Sequence, residues 1–589
     1  MSSKYFMTFS RILQLRKQTK TTMSTKLDFI PRHNNPDVFG TLNKQQSRKE
    51  AEEMPEEKGD KEEVDFIDNI DGKVRLKPIE YAKIIKQHLN SKDLVSAINV
   101  LETRMLQKEN AKPDKYIYNL LISGCAQLGY TKKAFQLFNQ MKKRGVNESA
   151  STYTSLFNAC ANDPWPKDGL EAALHLKDLM KRKGYQINEV NANAMIKAFG
   201  RCGDIQMAFT IVDEMKQNNL KITTTTINFL LQACASDVKS GLRHALIVWR
   251  KLIKLKIKPN LYTYNLLLRC TRDCQLGKPS EVKEALQEYL PNDKLSFLIV
   301  REENQFKNIE SSFNNSDDSC NLVPLNETNT LTANLLAIEP QFSTLIYVDK
   351  IEKNWHKLML FGGAQGFLEI MAHSKIKPDV KTFTQLLSLI PASRDAEQFL
   401  IEEMKKSNVK MDIDFCNMLI KKRNMENQFP AGREVLKIIA SEKLVPNTIT
   451  FGVLALGCRR LSEAKELLEG MKELGIPVNV EILGTLVHCG CEAWNLKMII
   501  YLVGILLREK IKPNNIFMRH VNSLHYKINE QIKLKESGVE VNLKFNNKDF
   551  LQDYRKFVDV VNHLNTLEIE DPENMHPWKQ FKNESDVTT

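Results

Sequence analysis

The stretch KYIYNLLISGCAQLGYTKKAFQLFNQMKKRG, residues 115–145, carries two apolar patterns of helical spacing on either side of a glycine. In the first pattern Leu120, Leu121 and Cys125 fall on one helix face, and Gly129 then interrupts the helix. The second pattern consists of Ala134, Phe135, Leu137, Phe138 and Met141, and it runs into a basic cluster. The stretch therefore predicts two short antiparallel helices joined by a tight turn.

The first pattern recurs along the chain, at first about every 35 residues, and each copy has Asn or Thr at one fixed place. The six copies are Tyr118–Ile122, Tyr153–Phe157, Ala192–Ile196, Ile227–Leu231, Tyr264–Leu268 and Phe383–Leu387. A helix pair this short cannot bury its own apolar face, so successive pairs must stack and share one core. The sequence therefore predicts an all-α fold of the α-solenoid class.

Composition agrees with a large helical protein that carries an excess of basic residues. Of the 589 residues, 42% are hydrophobic and 26% are charged, and the formal net charge is +12. Between residues 111 and 284 there are 27 Lys plus Arg against 14 Asp plus Glu. This excess indicates either a polyanion-binding surface or cations placed at the carboxyl ends of helices, where the helix dipole favours them. The longest apolar run, residues 498–507, is too short to span a bilayer, so we expect no membrane span.

The amino terminus has the composition of a targeting segment. Residues 1–27 contain six Lys or Arg, nine Ser or Thr and no acidic residue. Phe6, Phe9 and Leu13 can line one face of an amphipathic helix, which is typical of a mitochondrial transit peptide. A disordered basic tail is the alternative. Residues 28–75 are rich in charged residues and predict a disordered linker.

The cysteines predict core packing rather than disulfides or metal binding. Cys125, Cys160, Cys234 and Cys458 have the same phase within their units, where a small side chain allows close helix packing. His488, Cys489 and Cys491 have metal-ligand chemistry, but no second half of a paired site accompanies them. We expect no metal site, no cofactor and no small-molecule substrate.

The repeating unit resembles the pentatricopeptide repeat. The residues that carry the resemblance are Tyr118-Asn119, Gly129, Ala134, Phe138, Met141-Lys142 and Gly145, with the later unit ends Ile257-Lys258-Pro259-Asn260, Ile376-Lys377-Pro378-Asp379 and Ile511-Lys512-Pro513-Asn514. This resemblance implies a right-handed superhelix. The signature of the tetratricopeptide repeat, with Trp, Leu-Gly and Tyr early in each unit, does not occur in these units.

Phased by this pattern, the chain divides into seven segments. They are a mitochondrial transit peptide at 1–27, a disordered charged linker at 28–75, a degenerate first repeat at 76–114, an amino-terminal repeat array at 115–300, a disordered insertion at 301–345, a carboxy-terminal repeat array at 346–525, and a helical cap with a polar tail at 526–589. The polar composition of the insertion predicts that it buries little and that residues 305–340 can be deleted.

The resemblance implies that each repeat reads one base of single-stranded RNA. The family uses a side chain of the first helix, the reading residue, and the last residue of the unit, the closing residue. The pairs in this chain are Asn119 with Ser149, Thr154 with Asn188, Asn193 with Thr223, Asn228 with Asn260, Thr384 with Asp412 and Asn417 with Asn447, and Asn265 is a further reading residue. Family preferences imply adenine for Thr154, guanine for Thr384 and pyrimidines for the Asn-led pairs.

Each of these assignments has an alternative. Asn or Thr near a helix start is commonly a cap, and Gly452 and Gly484 occupy the reading place in two later units, where they offer no side chain. Basic residues at the ends of the second helices are candidate phosphate contacts: Lys142, Lys143, Arg144, Lys181, Arg182, Lys183, Lys251 and Lys254.

Residues 158–165 and 245–250 resemble a mitochondrial member of the family. That closer resemblance implies a protein of the mitochondrial matrix that binds mitochondrial tRNAs, leucine tRNAs and their precursors in particular, or other precursor transcripts or rRNA. The implied effects are on tRNA 3′-end processing, RNA abundance and mitochondrial translation. The alternative is a protein-binding scaffold that recruits a tRNA 3′-processing nuclease or binds the mitochondrial ribosome. An enzyme is not predicted, because the acidic residues beyond residue 515 show no paired arrangement.

Overall fold

The computed structural model describes residues 76–91, 93–108, 111–278, 334–336, 353–536 and 548–567. These residues form two compact units, 76–393 and 394–567, which we call the amino-terminal unit and the carboxy-terminal unit. The predicted transit peptide at 1–27, the linker at 28–75 and most of the insertion lie outside the described residues. Within those residues, no helix is both long enough and apolar enough to cross a membrane.

The amino-terminal unit is a series of short helices. They are α1 (Pro78–Asn90), α2 (Leu94–Asn99, which continues as a π-helix over Val100–Lys108), α3 (Lys115–Gln127), α4 (Thr131–Lys143), α5 (Ala150–Ala161), α6 (Pro166–Arg182), α7 (Glu189–Arg201), α8 (Ile205–Gln217), α9 (Thr224–Cys234), α10 (Gly241–Lys254), α11 (Leu261–Asp273), α12 (Asn354–Met359), α13 (Gly363–His373) and α14 (Val380–Leu389).

The carboxy-terminal unit is built in the same way. Its helices are α15 (Arg394–Lys406), α16 (Ile413–Met425), α17 (Phe429–Ser441), α18 (Thr448–Ala455), α19 (Leu461–Glu473), α20 (Val480–Glu492), α21 (Leu496–Arg508), α22 (Asn515–Glu536) and α23 (Lys548–Asn565). Each first helix packs on the next first helix, from α16 through α18 and α20 to α22, and α21 packs on both α19 and α23.

The same layering occurs in the amino-terminal unit. The first helices α3, α5, α7, α9, α11 and α14 are successive neighbours, and each of α3, α5, α7 and α9 also packs on the second helix that follows it. The predicted all-α fold of stacked antiparallel helix pairs is confirmed.

We number the repeats by their residues: 1 (115–149), 2 (150–188), 3 (189–223), 4 (224–260), 5 (261–379), 7 (413–447), 8 (448–479) and 9 (480–514). Residues 380–412, repeat 6, extend over the boundary between the units.

The core is shared between repeats, as the short helices require. Tyr118, Leu121 and Phe138 are buried in repeat 1, and the ring of Phe138 packs edge-on against Tyr153 of repeat 2 at 6.1 Å between centroids. Gly129 has a φ of +71°, and a Cβ there would lie 2.1 Å from the backbone oxygen of the next repeat's Asn162. Only glycine therefore allows this turn to approach its neighbour. The four cysteines predicted to pack in the core, Cys125, Cys160, Cys234 and Cys458, are all buried and reduced.

The fifth repeat corrects the predicted position of the insertion. The first helix of this repeat, α11, packs against α13 through Tyr264, whose ring lies 5.8 Å from that of Phe367 and whose hydroxyl is 2.8 Å from Ser374 Oγ. The helix α13 is thus the second helix of repeat 5, and Asp379 is its last residue. The insertion lies inside a repeat, between its two helices, rather than between two arrays. The long gap in sequence hides this pairing from a search for a 35-residue period.

The prediction that the insertion buries little is wrong for two of its three described residues. Leu335 and Leu336 are only 2% and 3% exposed. The carbonyl of Leu336 accepts a hydrogen bond from the indole Nε1 of Trp249 at 3.1 Å, and the amide of Leu335 donates to the carbonyl of Leu360 at 3.0 Å. The prediction rested on the polar composition of the whole segment, which does not reveal two adjacent apolar residues that pack on the repeats.

We therefore expect Leu336→Ala to destabilise the amino-terminal unit by about 2 kcal/mol, because it removes a buried leucine side chain. Thermal unfolding followed by circular dichroism tests this. Val238→Ala, a truncation of a side chain that is 62% exposed in the same unit, is the matched control and should have almost no effect. Equal melting temperatures for the two variants would contradict the proposed anchor. Deletion of residues 305–340 removes this anchor and should also lower the melting temperature.

Candidate nucleic-acid interface

The predicted reading residues all occupy one helical position. Asn119 is the fifth residue of α3, and Thr154, Asn193, Asn228, Asn265, Thr384 and Asn417 are the fifth residues of their own first helices. Since the first helices of the amino-terminal unit lie side by side, six of these side chains form a row along that unit. The fifth residue lies in the second helical turn, so the interpretation of these residues as helix caps is wrong.

Capping is instead the structural role of the closing residues. Each closing residue is the N-cap of the next first helix, and six of them accept the backbone N–H of that helix's third residue. The acceptor distances are 3.4 Å at Ser149, 2.7 Å at Asn188, 2.8 Å at Asn260, 2.7 Å at Asp379, 2.8 Å at Asp412 and 2.9 Å at Asn447. Thr223 also occupies an N-cap, and its own N–H donates to Thr226 Oγ1 at 3.3 Å.

Three predicted pairs lie within hydrogen-bond distance. The amide Nδ2 of the reading residue donates to the closing residue in Asn119 with Ser149 (3.2 Å), Asn228 with Asn260 (3.5 Å) and Asn417 with Asn447 (3.2 Å). Thr154 is engaged by a different residue, since Nδ2 of Asn191 donates to its hydroxyl at 2.9 Å. Thr384 and Asp412 belong to different compact units, and their pairing stays a prediction, as does that of Asn193 with Thr223.

One further pair of a reading residue and a closing residue was not predicted from the sequence. Nδ2 of Asn265 donates to the carboxylate of Asp379, at 3.3 Å to Oδ1 and 3.4 Å to Oδ2. The two residues are 114 positions apart because the insertion lies between them. The signal that could have found Asp379 is the unit ending Ile376-Lys377-Pro378-Asp379, which closes repeat 5 rather than preceding a new array.

The two members of a pair differ in accessibility. The reading residues Asn119, Thr154 and Asn228 are buried, at 8%, 5% and 7% exposure. The closing residues are more accessible: Ser149 is half-buried, and Asn188 and Asn260 are exposed. A ligand would therefore meet the closing side chain and a narrow edge of the reading side chain, both held by fixed hydrogen bonds. Such preorganised polar groups favour directional recognition.

In repeats 2 and 3, further polar side chains lie on the first helices or at their ends, one turn and two turns after the reading residue. Nζ of Lys197 donates to Oδ1 of Asn158 at 3.0 Å, and the guanidinium of Arg201 hydrogen-bonds Oδ1 of Asn162. Burial lowers the pKa of Lys197 to about 8, with a smaller contribution from Arg201. These basic residues were not among the predicted contacts, although their spacing of four and eight residues from Asn193 places them on the same helix face.

The candidate phosphate contacts lie at or just beyond the ends of second helices. Lys143, Arg144, Lys181, Arg182, Lys183, Lys251 and Lys254 are exposed, and the half-buried Lys142 lies over the ring of Phe138 at 4.6 Å. Two of them have protein partners, because Lys183 forms an ion pair with Glu148, and Nε of Arg182 donates to the Asp178 carbonyl at 3.4 Å. Their position also suits the negative end of the helix dipole, so phosphate contact remains a prediction.

The cysteines near His488 behave as packing residues. The thiol of Cys489 donates to the carbonyl of Leu456 at 3.4 Å, and that of Cys491 to the carbonyl of His520 at 3.6 Å. Burial raises the pKa of Cys489 to about 11 and that of Cys491 to about 12, so both are thiols at neutral pH. Among the residues that the structure describes, no group of three or more His, Cys, Asp or Glu is placed to hold a metal ion.

Lys197 generates a pH-dependent prediction. Its pKa of about 8 in the folded chain lies below the 10.5 of an ordinary lysine, so the buried charge opposes folding below pH 8. This penalty disappears as the pH rises from 8 to 10.5, because the unfolded chain binds more protons there. We expect Lys197→Met to raise stability at pH 7 by about 1 kcal/mol, with the gain shrinking toward zero by pH 10.

Melting temperatures at pH 7, 8.5 and 10 measure this difference. The exposed Lys216→Met variant is the matched control and should not differ from the wild type in a pH-dependent way. A gain for Lys197→Met that is the same at all three pH values would contradict the assignment of a buried ammonium.

Comparison with known proteins finds sequence similarity to repeat proteins of one family. The PPR repeat family model matches residues 113–162 and 187–236. Pentatricopeptide repeat-containing protein 1, mitochondrial, of Rattus norvegicus is 28% identical over 559 residues, covering 86% of this chain and 79% of the rat protein. The protein of the same name from Homo sapiens is 29% identical over 495 residues, covering 75% of this chain and 70% of the human protein.

Among solved structures, the pentatricopeptide repeat protein PPR10 in complex with an 18-nucleotide psaJ RNA element has a TM-score of 0.40 and 17% sequence identity. That likeness covers 82% of this chain and 61% of PPR10. The two segments that match the family model contain α3 to α5 and α7 to α9, the helices that carry four of the reading residues. Residues 113–162 and 187–236 thus match the pentatricopeptide repeat, and most of the chain is similar to proteins that are named for it.

Proposed function

We propose that the chain is an RNA-binding protein whose repeats engage single-stranded or unpaired RNA through the row of reading residues. The observation that carries this proposal is the row itself. Asn119, Thr154, Asn193, Asn228 and Asn265 recur at the same position of neighbouring helices. A row of short polar side chains at the interval of one repeat suits the successive bases of an unstacked strand, whose Watson–Crick edges are accessible.

The chemistry of each pair suits base edges of different kinds. An Asn-led pair offers an amide N–H beside its closing residue, which complements the acceptor-rich edges of pyrimidines. Asn265 with Asp379 joins this group. The pair of Thr154 with Asn188 is expected to favour adenine, and that of Thr384 with Asp412 to favour guanine. The basic excess between residues 111 and 284, 27 Lys plus Arg against 14 Asp plus Glu, supports affinity for the phosphate backbone.

The resemblance to relatives named as mitochondrial supports a finer proposal. We place the protein in the mitochondrial matrix, with the predicted transit peptide at residues 1–27 directing it there. Its RNA partners are mitochondrial tRNAs, leucine tRNAs and their precursors first among them, with other precursor transcripts or rRNA as further partners. Through this binding it affects tRNA 3′-end processing, RNA abundance and mitochondrial translation. It acts without catalysis of its own.

One observation favours a second function for the carboxy-terminal unit. In repeats 8 and 9 the reading place is occupied by Gly452 and Gly484, and the third residues of the following first helices are the buried Ile482 and Phe517. The polar reading side chain is thus absent and the third residue of the next helix is apolar, while the closing residues Asn479 and Asn514 still cap that helix. Such a surface suits a protein segment better than a base edge, and a tRNA 3′-processing nuclease or a ribosomal protein is the partner that fits this proposal.

The base-reading proposal predicts the behaviour of a variant in which Asn119, Thr154, Asn193 and Asn228 are all replaced by Ala. We expect its preference for the RNA sequence selected by the wild type over a scrambled sequence to fall at least tenfold, because four directional contacts are lost. Fluorescence anisotropy of the full-length chain with labelled 14-nucleotide RNAs measures this. The structure also predicts some loss of stability, since Asn119 and Asn228 bond to the following repeats.

Thr131→Val is a control for that loss. Its buried hydroxyl donates to the Ala159 carbonyl at 3.1 Å and lies away from the reading residues. It should lower stability without changing selectivity. Unchanged selectivity in the fourfold variant would refute base reading.

The phosphate candidates predict a different signature. Joint replacement of Lys142, Lys143 and Arg144 by Ala should weaken binding to all RNA sequences alike and reduce the slope of log affinity against log salt by about 2, since each lost phosphate contact on a single strand removes about 0.7. The matched control replaces the exposed Lys437, Lys443 and Lys472 of the carboxy-terminal unit. An equal change of slope in both variants would show that the basic cluster only adds to net charge.

A further inference from the structure

Each Asn in the reading row is followed by a threonine at one fixed place of the next repeat. The third residue of the following first helix is Thr152 after Asn119, Thr226 after Asn193, Thr263 after Asn228, Thr382 after Asn265 and Thr450 after Asn417. The other reading residues are followed by different side chains: Asn191 after Thr154, Phe415 after Thr384, Ile482 after Gly452 and Phe517 after Gly484. Asn at the reading place and Thr at this third place therefore occur together in all five cases and are never separated in these repeats.

The structure shows a direct contact between the two residues. The threonine hydroxyl donates to Oδ1 of the reading asparagine from Thr152 to Asn119 at 2.6 Å, from Thr263 to Asn228 at 2.7 Å and from Thr382 to Asn265 at 2.8 Å. All three threonines are fully buried. A buried hydroxyl and a buried amide oxygen stabilise each other most when they are paired, because either alone would carry a desolvation penalty.

The helix cap determines which end of the reading amide faces the threonine. Oδ1 of Asn260 accepts the backbone N–H of Thr263 at 2.8 Å, so this closing residue presents an acceptor to Asn228. Asn228 must then direct Nδ2 toward Asn260 and Oδ1 toward Thr263. At Asn265 the carboxylate of Asp379 imposes the same orientation, since a carboxylate accepts and does not donate. The amide cannot flip without placing two acceptors against each other.

The contact differs where the reading residue is threonine. Asn191 donates from Nδ2 to the hydroxyl of Thr154 at 2.9 Å, and this hydroxyl donates its own proton to the Ala150 carbonyl at 3.1 Å. Thr154 can then offer a base only its remaining lone pair. The residue in the third place thus sets which hydrogen-bonding group the reading residue presents: an N–H donor from Asn, or an acceptor from Thr154.

We propose that the third residue of the following repeat is a specificity-determining position, which orients the reading side chain and fixes whether it meets the base as a donor or as an acceptor. This inference rests on the proposed RNA-binding function. Thr152, Thr263 and Thr382 are then positioning residues that favour base edges with a hydrogen-bond acceptor, such as those of the pyrimidines. Asn191 is the positioning residue that favours an edge with a donor, such as the amino group of adenine. These residues do not touch the base themselves.

The repeats differ in whether the amide oxygen of the reading asparagine is hydrogen-bonded. At Asn193 and Asn417 Oδ1 is buried and has no hydrogen-bond partner among the described residues. The hydroxyl of Thr450 lies 3.0 Å from its own closing residue, Asn447, and that of Thr226 lies 3.4 Å from Thr223 Oγ1. Thr263 and Thr382 also contact their closing residues, at 2.8 Å and 2.7 Å, but they contact the reading asparagine as well. In these two repeats the amide is not held from the oxygen side, so their base preference should be weaker than that of repeats 1, 4 and 5.

The test uses the full-length chain and a randomised 14-nucleotide single-stranded RNA pool, with the bound fraction sequenced. Thr263→Val removes the hydroxyl and keeps the shape, while Thr263→Ser keeps the hydroxyl. We expect Thr263→Val to reduce base discrimination from about fivefold to about twofold or less at one position of the selected sequence, and Thr263→Ser to retain it. Because one repeat reads one base, Thr152→Val should affect a position three nucleotides away and leave the first unchanged.

Controls separate this effect from a loss of stability. Thr131→Val removes a buried hydroxyl on the second helix of repeat 1 and should select the wild-type sequence. The positions that remain selective within each variant also report that the chain is folded. If Thr263→Val and Thr131→Val select the same sequence, the third residue has a structural role only and the inference is overturned. If the wild type enriches no sequence, RNA reading itself fails, and this inference fails with it.

Discussion

The rest of the structure depends on the cap that each repeat supplies to the next. The closing side chain accepts the third backbone N–H of the following first helix, for example Asn260 toward Thr263 at 2.8 Å and Asp379 toward Thr382 at 2.7 Å. This bond starts each helix at a defined residue. Because every first helix begins at its cap, its fifth residue always faces the same side. The regular row of reading residues is a consequence of capping as much as of the repeat period.

The same bond links stability to recognition. A closing residue that caps a helix is held in one rotamer and presents a fixed acceptor to the reading residue. The reading residue then bonds to the next repeat through its other end, as Asn228 does with Asn260 and Thr263. A binding surface of this kind loses little conformational entropy when a ligand arrives. It also means that capping and reading are not competing interpretations, since the two roles belong to different members of one hydrogen-bonded set.

Much of the fold and part of the site could be predicted from the sequence. The helix pairs and the turn at Gly129 follow from short-range patterns that each repeat contains, and the pairing of Asn119 with Ser149 follows from the family resemblance. Contacts between residues that are far apart in the sequence could not be predicted and are seen only in the structure. Asp379 closes a repeat that began at Leu261, Leu336 docks on Trp249 across 87 positions, and burial changes the pKa of Lys197. The third-place threonines were visible in the sequence, but their partner is the previous repeat, and only the packing shows that contact.

We propose that this protein binds RNA in the cell through its reading row. The most direct measurement is crosslinking of the tagged full-length protein in isolated mitochondria, followed by sequencing of the recovered RNA. We expect discrete peaks on unpaired segments of mitochondrial transcripts, with leucine tRNAs or their precursors among them. Recovery of no RNA above background, while protein partners still copurify, would contradict it and would favour the protein-binding scaffold.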